Sequence, residues 1–112
     1  MDDTVTVTIG GEKIALPLIM NLATLERAWP CVEVMAEAKN KIAEASAACA
    51  FVSAVLIATR PELTTGEIKK RVRVNKAAGE SEMQGVVAAA RELLIASGVV
   101  TPGEAEAAPA AE

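Results

Sequence analysis

The chain has 112 residues, of which 52% are hydrophobic but only 2% aromatic, and its formal net charge is −4. That length fits one domain with a modest core, built from Ala, Val, Leu and Ile around Trp29 and Phe51 as aromatic anchors. With no histidine and no tyrosine, a histidine base, triad or metal ligand is excluded, and the acidic balance argues against nucleic acid as the main partner.

From the N-terminus, Val5, Val7 and Ile9 alternate with Thr4, Thr6 and Thr8, the period of a strand with one buried face. Gly10-Gly11 supplies the positive φ angles of a two-residue hairpin turn. Ile14 and Leu16 resume the alternation, and Pro17 ends it. A short hairpin is marginal alone, so it must pack on the following helices or on another subunit. Leu18, Leu22 and Leu25 then recur at helical spacing, with Asn21 as N-cap. Pro30, lacking an amide hydrogen, is expected to break or kink this helix near Trp29, leaving a second piece from about Cys31 to Asn40.

The third helix spans Lys41 to about Thr59 and has no charged residue between Glu44 and Arg60. It is short of the ~20 apolar residues that span a bilayer, so it reads as a central buried helix, or one completed by an oligomer or client. Arg60-Pro61 stops it. Thr64 with Glu67, and Ser81 with Gln84, have the form of capping boxes. They open a short helix from Thr65 to about Val72, with Ile68 and Val72 as its stripe, and a last helix to about Ser97. Met83, Val86, Val87, Ala90, Leu93 and Leu94 form the buried face of that last helix, and Gly98 its C-terminal stop. Ala77 to Glu80 reads as a loop. The fold expected is α+β, mainly α: residues 1–100 form a single domain, with a hairpin over 4–17 and about four to five helices over 18–99. Residues 101–112 form a disordered acidic tail rich in Ala, Pro and Glu.

No constellation for chemistry emerges. Glu33 with Glu37, and Glu37 with Lys41, fall at i,i+4 and read as a solvated helix face with one ion pair. Glu80 and Glu82 flank the last helix's start, where negative charge suits the dipole. Cys31 and Cys49 follow no metal-ligand spacing and read as reduced, small hydrophobes. The acidic start MDDTV lacks an apolar signal segment, so a cytoplasmic protein is expected. The basic run Lys69, Lys70, Arg71, Arg73 and Lys76 loosely suggests a helix-turn-helix. The would-be recognition helix, VVAAARELLIA, has few side chains that read bases.

Several segments carry a resemblance. Val5-Thr6-Val7-Thr8-Ile9 with Gly10-Gly11, then Ile14-Ala15-Leu16-Pro17-Leu18, then Asn21-Leu22-Ala23-Thr24-Leu25-Glu26-Arg27 resemble the tail assembly chaperones of tailed phages, of the prophage and gene-transfer-agent type. The segment Leu63-Thr64 to Ile68 is similar to the family's second-half element. The resemblance implies a non-enzymatic protein without cofactor or metal, acting in the host cytoplasm. Such a protein would bind the tape-measure protein and keep it soluble for tail-tube polymerisation, with the tail-tube protein as a second candidate partner and homo-oligomerisation through the hairpin's strand edges. Val5, Val7, Ile9, Leu22, Leu25, Trp29, Phe51 and Val55 are the candidate partner-binding residues. A small helix-turn-helix DNA-binding protein and a structural phage tail component are the alternatives.

Overall fold

A computed structural model describes residues 4–74 and 81–98. It is an N-terminal two-stranded antiparallel hairpin followed by four helices, mainly helical α+β. Strand β1, Thr4–Ile9, pairs with β2, Glu12–Pro17, from Thr4 opposite Pro17 to Ile9 opposite Glu12. The turn between them has Gly10 at φ +62 and Gly11 at φ +86, a left-handed pair that only glycine adopts without strain. Val5, Val7, Ile9, Ile14 and Leu16 are all buried. The apolar face of the hairpin is covered by the protein's own helices: β1 lies against α4, Glu82–Ser97, and β2 touches α2, Lys41–Leu56.

Helix α1, Leu22–Glu37, begins where Asn21 Oδ1 accepts from the Thr24 N–H at 2.8 Å. Contrary to the expectation of a break at Pro30, the helix is continuous through it. The physical reason is placement. Pro30 lies on the exposed arc, where water can serve the Glu26 carbonyl that lost its donor, while Ala28 and Met35 are buried on the opposite arc. Packing of that arc on α2 outweighs the local cost of one missing bond. The helix ends at Ala38, which is extended. Glu37 and Lys41 therefore belong to different helices, and the expected i,i+4 pair on one face does not exist.

The centre of the molecule is α2, capped by Asn40, whose Oδ1 accepts from the Ala43 N–H at 2.8 Å. Ten of its sixteen residues are buried, and it touches α1, α4, β2 and α3, Thr65–Arg71. Its exposed or half-exposed residues are Lys41 and Ile42 at the start and the small stripe Ala43, Ser46, Ala50 and Ser53, so it is the most enclosed helix among the described residues, as expected of one with little polar surface. It stops three residues before the expected end. The Leu56 carbonyl accepts from both Thr59 N–H, at 3.0 Å, and Arg60 N–H, at 2.7 Å, which closes the last turn. Thr64 Oγ1 caps α3 by accepting from Glu67 N–H at 3.2 Å. The Glu67 carboxylate turns instead to Arg71 Nε, at 2.7 Å, so only half of that capping box forms. Ser81 Oγ accepts from Gln84 N–H at 3.5 Å, and Gly98 closes α4 at φ +82. Val86, Val87, Ala90, Leu93 and Leu94 are buried, with Ala89 beside them, and Met83 is partly buried. The expected loop at 77–80 and the acidic tail lie outside the described residues.

Side-chain alternation along β1 yields a direct test. Val7 is 3% exposed, whereas Thr6 faces solvent. Val7→Asp would bury an unpaired carboxylate and is expected to cost roughly 3–5 kcal/mol. Thr6→Asp, on the opposite face, should change stability by less than about 1 kcal/mol. Urea unfolding followed by circular dichroism measures both.

Candidate interaction surface

The eight candidate partner-binding residues separate into two groups. Val5, Val7, Ile9, Phe51 and Val55 are core residues. The strand residues turn inward onto α4, and Phe51 is fully enclosed in α2, so none of these five offers a surface to a partner in this conformation. Leu22 is 72% exposed, and Leu25 and Trp29 are partly buried against the core. On a helix with 100° between residues, Leu22, Leu25 and Trp29 share one side. Ile19, 76% exposed, precedes them, while Leu18 and Met20 are packed partly on the core. The segment from Ile19 to Trp29 is therefore an apolar ridge, anchored on one flank and open on the other. Sequence periodicity identified the helix here but not Ile19, because an apolar residue between strand and helix belongs to neither pattern.

The basic run is largely committed to carboxylates. Arg71 pairs with Glu67 at 2.7 Å and lies 3.9 Å from Glu12, and the Lys70 ammonium is 3.9 Å from Glu67. Arg73 Nη2 donates to Glu82 at 2.6 Å. Lys76 lies outside the described residues. The exposed positions of α4 are Gln84, Gly85, Ala88, Glu92 and Ala96, none of them a cation, and the Arg91 guanidinium at their flank is held by Glu44, which leaves little to read base edges.

Among the described residues two carboxylates are buried, Glu44 and Glu82. Glu82 does more than favour a helix dipole. Its Oε1 accepts from the Gly10 N–H at 2.7 Å and the Arg73 N–H at 2.9 Å. Its Oε2 accepts from the Gly11 N–H at 2.9 Å and from Arg73 Nε and Nη2 at 3.0 and 2.6 Å. The Arg73 carbonyl in turn accepts from the Glu82 and Met83 N–H groups, at 3.0 and 3.3 Å, which satisfies donors of the first turn of α4. One side chain thus ties the hairpin tip, the exit of α3 and the start of α4. Close approach enforces glycine at the tip: a Cβ on Gly10 would stand 3.1 Å from Arg71 Cβ and 3.2 Å from its carbonyl oxygen. Burial pushes the Glu82 carboxyl up, but the Arg73 guanidinium and the N–H groups of Arg73, Gly10 and Gly11 together bring it down to about 2.

Cys31 and Cys49 are free thiols, the first half-buried and the second buried, and burial raises both. Among the described residues no group of three or more acidic or cysteine side chains is placed to hold a metal ion. No helix among them is long and apolar enough to cross a membrane. Comparison of the chain with protein-family models, with curated proteins and with solved structures finds no match in any of the three.

The Glu82 contacts set an acid response. The folded carboxyl titrates near 2 against an ordinary value of 4.5, so the native state holds fewer protons than the unfolded chain between these limits. Its stabilising contribution is complete above about pH 4.5 and is lost as pH falls toward 2. Glu82→Gln should lower Tm at pH 7 by roughly 5–10 °C and flatten the fall in stability across that window. Denaturant titrations from pH 6 down to about pH 2.5 check both outcomes.

Proposed function

We propose that this chain is a tail assembly chaperone of the tailed-phage type. In this reading it binds the long helical tape-measure protein and keeps it soluble until tail-tube subunits polymerise around it, acting by reversible apolar contact. The proposal draws on the resemblance over Thr4 to Arg27. The observation that carries it is the open ridge at the start of α1, where Ile19 and Leu22 stand three-quarters exposed beside the half-buried Leu25 and Trp29. Large apolar side chains grouped on one accessible helix face suit a helical client, which would lay its own apolar stripe along them. Aliphatic side chains demand shape and hydrophobicity more than a fixed polar code, as an adaptable binder requires. The outer edges of β1 and β2, which pair only with each other among the described residues, are the place where self-association would add a strand.

Co-expression tests the proposal. A tape-measure protein expressed with this chain is expected to shift from the insoluble to the soluble fraction. The double variant Ile19→Glu and Leu22→Glu should remove that effect while keeping the wild-type circular dichroism spectrum. No gain in soluble tape-measure protein with the wild-type chain would reject the proposal. Finding the chain at constant stoichiometry in finished particles would reassign it as a structural tail component.

A further inference from the structure

A cleft of about 170 Å³ opens between the start of α2 and the first half of α4. Its polar lining is Lys41, Glu44, Gln84 and Arg91, and Met83 and Val87 supply apolar wall. Glu44 is 6% exposed, and its Oε2 accepts from Arg91 Nη2 at 2.5 Å across the seam between the two helices. That bond fixes the guanidinium at the rim, where the Arg91 side chain stays about one-third exposed, at 31%. Its remaining N–H groups have no acceptor among the described residues. Lys41, also in the lining, is exposed and makes no ion pair among the described residues, and the Gln84 side-chain amide makes no hydrogen bond among them. Lys41 and Arg91 against Glu44 leave one surplus positive charge in the lining. Lys41 is also the first residue of α2, at the positive end of its dipole.

Size and charge select the ligand. A cleft of about 170 Å³, open to solvent on one side, takes only a small group of a few heavy atoms. We propose that it binds a short aliphatic carboxylate. The carboxylate bridges Lys41 Nζ and the remaining N–H groups of Arg91, and the alkyl chain lies against Met83 and Val87. Charge-assisted bonds to two cations favour this over a neutral isostere, and the surplus charge disfavours an alkylammonium. The same chemistry is offered by a free short-chain acid and by a glutamate side chain of a partner protein. The cleft and the ridge on α1 are built from different residues, so the proposal stands apart from the chaperone reading.

Titration of the uniformly ¹⁵N-labelled full chain with butyrate, butyramide and butylammonium, followed by amide chemical shifts, tests it. Butyrate is expected to saturate in the millimolar range, moving the amides of Gln84, Val87 and Ala88. Butyramide should bind about tenfold more weakly or worse, for the loss of charge-assisted bonds. Lys41→Ala, at an exposed and unpaired position, should weaken butyrate by about tenfold at unchanged Tm. Shifts that never saturate, equal binding of butyramide, or tighter binding of butylammonium would overturn the assignment. An acetylated and amidated Ala-Glu-Ala peptide separates the two sources. Tighter binding than butyrate assigns the site to a partner's glutamate, and binding of butyrate alone assigns it to a free acid.

Discussion

Everything at one end of this molecule depends on a single buried carboxylate. Five donors converge on Glu82 from two places in the chain: two amides of the hairpin turn, and the backbone and guanidinium of Arg73. An ionised carboxylate taken out of water is tolerated only when its lone pairs are occupied, and here they are. The turn must therefore present adjacent N–H groups on one side, which a left-handed glycine pair does. It must also approach the end of α3 so closely that a side chain at Gly10 would collide with Arg71. The Gly-Gly dipeptide serves the turn, the docking and the anion at once.

The rest of the core depends on small residues. Ala45, Ala47, Ala48 and Ala54 are buried along α2, and short side chains let neighbouring helices approach it closely. Lacking many aromatics, the molecule gains its buried area by packing α1, α3, α4 and β2 around α2. Phe51, fully enclosed, is the one aromatic at the centre. An ion pair between Arg91 and the buried Glu44 joins α2 to α4 where alanine contacts alone would give little orientation.

Local signals were legible in the sequence. The period-2 alternation of β1, the glycine turn, the caps at Asn21, Thr64 and Ser81, and the stop at Gly98 all depend on residues within a few positions of one another. Pro30 misled because its cost is local whereas its compensation, packing of the opposite arc of α1, is not. The strand residues Val5, Val7 and Ile9 were legible as one apolar face. Periodicity does not say what covers a face, and here α4 does. Glu82 was hidden for a related reason. An acidic residue in the first turn of a helix looks complete as a dipole partner, and nothing nearby points to an amide 72 positions earlier in the chain. Of the candidate surface, the helical stripe Leu22, Leu25 and Trp29 was readable, and its exposure was not.

That span of 72 positions also governs the order in which the protein can mature on a ribosome. The hairpin is synthesised before both the helix that covers its apolar face and the carboxylate that holds its tip. At roughly 5–20 residues per second, the 72 residues from Gly10 to Glu82 take on the order of 4–15 s to synthesise. During that interval the hairpin's apolar strand face lacks its final cover. A protein whose strand residues are β-branched and uncharged through Ile9 thus passes through its own period of aggregation risk. The alternating threonines of β1, polar on the outward face, are the protection it carries through that interval.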